Sequence, residues 1–339
     1  MNQNQTQDTI QIGFAGPESA VPIQEAVALL QERDDFLILC HQKPDGDAVG
    51  SAFALREALR SLGKRAQVAC SDPFTPRYDF ITKGEREPRR DFVPKTYVTV
   101  DIADVNLLGD KLDHLRANID LAIDHHPSFT RFAALNVGYP STAAAGEIVY
   151  HIIRGLGATV TPDIAAALYT AIATDTGCFK YSNVTPSALR VTAELVECGL
   201  RSTLHEINYN LFMLKTRTRM LLEARVVNEA RFYREGKIAV AVVSLAMREE
   251  LHIKEDDLDD LGTLMRCIEG VEVGVLMKET PYGSYRVSFR SVRKINVAAV
   301  AQTFGGGGHR RASGCTISGP LEQAEAALVA AIEQAYQEL

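Results

Sequence analysis

Phe36-Leu37-Ile38-Leu39-Cys40 is a short, unbroken apolar run that stops at His41-Gln42-Lys43-Pro44-Asp45-Gly46-Asp47 and gives way to a helical stretch over 48–61. An apolar run of this length, closed by a polar loop with Pro and Gly, predicts a buried strand. Three further runs repeat the figure: Ala66-Gln67-Val68-Ala69-Cys70, Tyr97-Val98-Thr99-Val100 and Ile119-Asp120-Leu121-Ala122-Ile123. Strands that alternate with helices lie parallel in a sheet covered on both faces. The fold class is therefore α/β.

Before this unit, residues 1–20 are rich in Asn, Gln, Thr, Gly and Pro and predict a loose leader, followed by a helix near 23–33. The charged stretch 83–95 predicts a solvated loop. From 163 to about 231 the pattern is mostly helical, with apolar residues at three- and four-residue steps in 164–173 and 211–226. Beyond it, 238–245, 271–277 and 284–290 read as strands, 256–267 and 297–304 as helices, and 321–339 as a closing amphipathic helix. The expected division is a first domain over 21–205, a helical linker over 206–230 and a smaller mixed-sheet α/β domain over 231–339, with the active cleft between the two domains.

A chain of 339 residues with 46% hydrophobic content can supply two cores. The cysteines, Cys40, Cys70, Cys178, Cys198, Cys267 and Cys315, are irregularly spaced with no CxxC, which argues for reduced thiols over a zinc ribbon or a disulfide framework. A net charge of −7 would repel a long polyanion coating the surface, yet suits a small anion held through metal. Neither a basic-then-apolar start nor an apolar run long enough for a bilayer appears, so a soluble, cytoplasmic protein without membrane association is expected.

Four segments end in carboxylates or imidazoles: His41 to Asp47 after the first run, Asp101-Ile-Ala-Asp104, Asp124-His125-His126, and Asp175-Thr-Gly177 after a helix. The carboxyl ends of strands in an open parallel sheet face one crevice, so these groups converge there. Gathered carboxylates repel unless cations sit among them. Oxygen and imidazole donors without thiolate suit manganese or magnesium better than structural zinc, and the histidines favour manganese. Two such ions support hydrolysis of a phosphate ester. Each piece alone has a plainer reading, an aspartate as helix cap or a histidine pair as satisfied core. Four clusters in one order on one sheet outweigh it.

At these residues the sequence resembles the DHH phosphoesterase family, whose triplet stands here as Asp124-His125-His126. His41-Gln-Lys-Pro-Asp-Gly-Asp-Ala-Val-Gly-Ser51 is similar to the family's first motif, Val100-Asp101 to its second and Thr174-Asp175-Thr-Gly-Cys-Phe179-Lys-Tyr181-Ser182 to its fourth, and the likeness covers roughly 21–315. It implies a Rossmann-like catalytic domain with one ion on His41, Asp45 and Asp101 and a second on Asp47, Asp101, His125 and Asp175. Asp101 would bridge them. His126 would face the scissile phosphate, Asp124 would orient the neighbouring imidazole, and water activated by metal would be the nucleophile.

The second domain carries Phe304-Gly305-Gly306-Gly307-Gly308-His309-Arg310-Arg311, where glycines expose backbone N–H groups and His309 and Arg310 add charge. A glycine run is equally often a flexible turn. The stretch resembles the nucleotide-end loop of the DHH-associated domain, and Arg290 and Ser291 resemble its phosphate-contacting partners. Within the family a two-domain chain of this size is similar to the nano-RNases that also remove the 3′-phosphate of adenosine bisphosphate. The resemblance implies two Mn2+ with Mg2+ as the alternative, short single-stranded oligonucleotides and small nucleotides as substrates, and a homodimer. A phosphodiesterase for cyclic or linear dinucleotides is the nearest alternative; a non-catalytic nucleotide-binding module ranks lower because every expected ligand is present.

Overall fold

The computed structural model describes residues 21–86, 92–258 and 261–338. The expected leader and part of the 83–95 loop lie outside the described residues. The chain divides into two compact units, the first ending at Leu214 and the second beginning at Lys215.

In the first unit, α1 (Val21–Glu32), β1 (Phe36–Leu39), α2 (Gly46–Ser61), β2 (Ala66–Ala69), α3 (Asp79–Thr82), β3 (Thr96–Val100), β4 (Leu121–Asp124) and β5 (Leu135–Gly138) lead into four helices. These are α4 (Ala145–Gly155), α5 (Pro162–Asp175), α6 (Pro186–Glu197) and α7 (Leu204–Asn208). The sheet runs β2-β1-β3-β4-β5 with every pairing parallel, Leu39 opposite Ala69 and Thr99, and Val100 opposite Ile123. The chain leaves β1 for β2 on one side and later adds β3 on the other, so the order reverses at the β1/β3 boundary. That boundary is where open parallel sheets place ligands.

Phe36, Ile38, Val98, Leu121 and Ile123 pack into one core with α1, α2, α4 and α5. Leu39, Ala69, Ile102, Leu108, Leu115 and Ile119 form a second cluster on the opposite face. Short 3₁₀ turns, Val105–Leu108 and Asp110–Asn118, cover that face in place of long helices. β5 escaped the sequence reading because Leu-Asn-Val-Gly has no apolar run.

Helices α2 and α5 meet through small residues. A Cβ on Gly50 would lie 2.3 Å from the Ala167 carbonyl oxygen, and one on Gly46 2.4 Å from Thr174 Cγ2. No side chain fits at either position, and the close seam is what brings the ends of α2 and α5 to the same edge.

The second unit contains α8 (Arg217–Asn228), β6 (Arg231–Tyr233), β7 (Ile238–Val243), α9 (Leu245–Glu250), β8 (Val273–Thr280), β9 (Ser284–Ser291), α10 (Val297–Gln302), β10 (Gly307–His309), β11 (Ala312–Ser318) and α11 (Leu321–Gln337). Its sheet order is β10-β11-β9-β8-β7-β6, parallel only at β7–β8. Its core gathers Ile238, Val240, Val275, Phe289, Leu328 and Ile332.

Two readings change here. Where the sequence predicts a helix over 256–267, the described residues form separate 3₁₀ turns, Glu255–Leu258, Leu261–Thr263 and Met265–Cys267. The Asp257 carboxylate accepts from the Lys254 backbone N–H (3.0 Å) and from Thr216 Oγ1 (2.7 Å), which ties the first turn to the chain before it and to the start of α8. The glycine run is not a bare loop. Gly307 pairs with Gly314, Gly308 with Ser313 and His309 with Ala312 in an antiparallel hairpin.

Candidate metal centre

The centre is assembled at the carboxyl edge of the first sheet. After β1 the chain turns through His41 and reaches Asp45, the N-cap of α2, whose Oδ1 accepts from the N–H groups of Asp47 and Ala48, both at 3.0 Å. The plain cap role and a place in the cluster therefore coexist in Asp45, which is 57% exposed.

Asp47, in the first turn of α2, is fully buried. Its Oδ2 accepts from Ala145 N–H (2.7 Å), and its Oδ1 from Gly146 N–H (3.0 Å) and Ser51 Oγ (2.9 Å). Asp47 thus satisfies the start of α4 as well, where the N-cap Ala144 has no polar side chain.

Asp101 follows β3 with φ at +60°, a left-handed conformation that costs a non-glycine residue about 1–3 kcal/mol. Its N–H donates to the Ile123 carbonyl (2.9 Å), which holds it against the end of β4. There Asp124 is buried and bonds His126, through its N–H at 3.2 Å and Nδ1 at 2.9 Å. Asp124 therefore orients His126, whereas His125 turns Nδ1 to the Thr142 carbonyl at 3.4 Å.

His41 Nε2 lies 3.7 Å from both Asp45 Oδ1 and Asp101 Oδ2. His125 Nε2 lies 3.7 Å from Asp47 Oδ2, 3.6 Å from Asp101 Oδ1 and 3.6 Å from Asp175 Oδ2. His126 Nδ1 lies 3.6 Å from Asp101 Oδ1. These separations exceed hydrogen bonds. Asp101 Oδ1 and His125 Nε2 are accordingly buried with no hydrogen-bond partner, a costly state that a cation among them would relieve.

Among the described residues, three groups of histidines and carboxylates have donor atoms mutually within 4.8 Å: His41/Asp45/Asp101, Asp47/His125/Asp175 and Asp101/His125/His126. Asp101 belongs to two of them. The donor set is carboxylate and imidazole, so these residues fit hard divalent ions.

The electrostatics agree. Burial first, then the charges of Asp175 and Asp45, push the Asp47 carboxyl well above its usual range. Burial, then Asp47 and Asp45, do the same to Asp101. Asp175 is only half-buried, yet loss of solvent and then the charge of Asp45 push it up to about 7. Burial and the neighbouring His126 lower His125 to about 4, so it is a neutral donor at neutral pH. Burial works against a charge on His126 as well, but the bond to Asp124 outweighs it and raises its value.

In the second unit Gly307, Gly308, His309 and Arg310 are exposed and Gly306 is half-buried on the hairpin and its approach. Arg290 donates to the Phe289 carbonyl (3.0 Å) and Arg310 to the Lys294 carbonyl (3.4 Å). Ser291 behaves differently from the expectation: it is buried, and its hydroxyl donates to the Ile295 carbonyl (2.7 Å). Sequence reading missed Thr142 and Asn183, since only the folded chain brings them to the cluster.

Residues 35–172 match the DHH family, N-terminal domain, and residues 235–338 match the DHHA1 domain. The chain is 34% identical over 307 residues to the bifunctional oligoribonuclease and PAP phosphatase NrnA of Thermus thermophilus, covering 88% of this chain and 89% of that protein. Among solved structures, an exopolyphosphatase-related protein from Bacteroides fragilis superposes with a TM-score of 0.85 at 22% identity, over 93% of this chain and 96% of that one. RecJ of Thermus thermophilus, solved in complex with Mn2+, shares the fold with a TM-score of 0.54 at 15% identity over 93% of this chain and 55% of its own. On sequence and fold together, the chain belongs to the DHH family of phosphoesterases, a metal-dependent DHH domain followed by a DHHA1 domain.

Proposed function

We propose that this chain hydrolyses short oligoribonucleotides to mononucleotides and adenosine 3′,5′-bisphosphate to AMP, with two divalent ions, manganese before magnesium, at the sheet edge. The observation that carries the reading is the pair of buried, unsatisfied donors, Asp101 Oδ1 and His125 Nε2, set among carboxylates that repel one another. The activity named for the Thermus relative supports the substrate class.

His41, Asp45 and Asp101 would hold one ion, and Asp47, Asp101, His125 and Asp175 the other. When bound, such ions lower the pKa of water and stabilise charge on phosphoryl oxygens. The chain's own residues do the rest. Asp124 keeps a proton on His126 Nδ1, so that an imidazole of raised basicity stands at the edge where a phosphate enters. His309, Arg310 and Arg290 supply donors for the nucleotide's terminal phosphate, and the glycines of β10 let its backbone approach.

A homodimer belongs to the same proposal, with exposed Met220, Leu221, Val227 and Phe232 on α8 and β6 as an apolar face; light scattering tests it. Among the described residues no helix is long and apolar enough to cross a membrane, and a cytoplasmic location is proposed with the activity.

The deciding assay gives the manganese-loaded chain RNA of two to ten nucleotides, adenosine bisphosphate, cyclic dinucleotides and pyrophosphate. Turnover of the shortest RNA and of the bisphosphate above the others supports the proposal. Preference for pyrophosphate or cyclic dinucleotides rejects it.

A further inference from the structure

The segment Thr142-Ala143-Ala144-Ala145-Gly146, before and at the start of α4, bonds members of the Asp47/His125/Asp175 group through Thr142, Ala145 and Gly146. The N–H groups of Ala145 and Gly146 fix Asp47 at 2.7 and 3.0 Å. The carbonyl of Thr142 faces His125 Nδ1 at 3.4 Å, which turns Nε2 toward the cluster. Asp175 sits at the far end of α5 and reaches the segment through a side chain outside every motif named above. Asn183 Nδ2 donates to the Ala143 carbonyl (3.1 Å), to the Asp175 carbonyl (3.1 Å) and to Asp175 Oδ2 (3.3 Å).

The segment is itself pinned. Ala143 N–H donates to Oε1 of the buried Glu147 at 2.6 Å, and Thr142 Oγ1 donates to the Tyr139 carbonyl at 2.9 Å. Asp47, His125 and Asp175 therefore share one template of backbone groups. In the His41/Asp45/Asp101 group, His41 Nδ1 meets only the carbonyl of its own neighbour, Gln42, and Asp45 is more than half exposed.

We infer that Asn183 is a positioning residue for one ion of the pair: it locks Asp175 onto the Thr142–Gly146 template and so sets the affinity of the Asp47/His125/Asp175 position without touching the other. Partners of this kind, which orient a ligand from behind, change metal affinity by about 10–100-fold when removed. A single amide shared among a ligand's carboxylate, its own carbonyl and the template carbonyl holds both the rotamer and the helix end.

The inference rests on the metal reading above, and the test separates the two. Mn2+ is titrated calorimetrically into the metal-stripped full chain, and the metal-free melting temperature is recorded beside it. The wild type is expected to take up two ions per chain. Asn183→Ala should weaken one step by about 10–100-fold, leave the other unchanged and leave the metal-free melting temperature unchanged. In a His41→Ala background, where the exposed group has lost a donor, the remaining ion should be the one that Asn183→Ala weakens. Ser51→Ala, which removes a bond to Asp47 Oδ1, should weaken the same step and serves should Asn183→Ala fold poorly.

Identical isotherms for wild type and both variants would overturn the inference while leaving the metal reading in place. So would equal weakening of both steps with a lowered metal-free melting temperature, which marks a folding role. A wild type that takes up no Mn2+ would remove both.

Discussion

The carboxyl edge of the first sheet and the β10–β11 hairpin of the second unit both collect polar side chains, and they are built in opposite ways. At the edge, Asp47, Asp101 and Asp124 are buried and aimed by backbone groups from several elements. Their charges oppose one another. On the hairpin, His309, Arg310 and Arg311 stand exposed beside the paired glycines, and Arg310 donates to the Lys294 carbonyl at 3.4 Å. The edge withdraws its acidic groups from water, whereas the hairpin presents its cations to it.

Four experiments can break or sharpen that contrast, from the largest effect down. Asp101→Asn should lower hydrolysis by about 10³-fold or more, since the lost charge faces both groups of donors; kcat with saturating manganese reports it. The metal-free variant should melt no lower than the wild type, because a buried charge has been removed from repelling neighbours. A destabilised variant with retained turnover would mean that the edge is scaffolding.

Metal removal should come next. At a free Mn2+ concentration of 100 Kd, each ion stabilises the folded chain by about 2.7 kcal/mol, visible as a melting temperature that climbs with manganese and falls with chelator. Manganese-independent melting would remove the distinction between the two regions.

His151 on α4 supplies a third, outside the cluster. Burial lowers its value to about 4 from 6.5. The depressed value means that the unfolded chain binds the proton more tightly, so this stability is complete above about 6.5 and is lost as pH falls toward 4. Between pH 7 and 5 the loss is about 2 kcal/mol, and His151→Gln should shrink it; urea melts at the two pH values measure this.

The smallest effect is expected on the hairpin. Arg310→Ala should raise KM about tenfold, the scale of one exposed charge-assisted bond, with the manganese isotherm unmoved. Loss of metal binding in that variant would tie the hairpin to the edge after all.

Much of the edge could be read directly from the chain, because β1, β3 and β4 announce themselves as apolar runs and each of these runs stops at a carboxylate or imidazole of the edge. His41, Asp45, Asp47, Asp101, His125 and Asp175 gather as the parallel-sheet rule requires. What stayed hidden depends on contacts between distant residues. Asp47 meets Ala145 and Gly146 across 98 and 99 positions, and Asn183 meets Ala143 across 40, with no local pattern to mark either. β5 and β6 are short strands without apolar runs. The glycine run was ambiguous for a physical reason. Residues without side chains signal backbone exposure but not whether that backbone is paired.

The seam at Gly46 and Gly50 also bears on how this scaffold could be re-engineered. With Thr174 and the Ala167 carbonyl already inside the space of a methyl group, randomising these two positions would return almost only the parental residue. A selection for new substrates would be better spent on the hairpin's cations, where diversity is tolerated and the catalytic edge keeps its alignment.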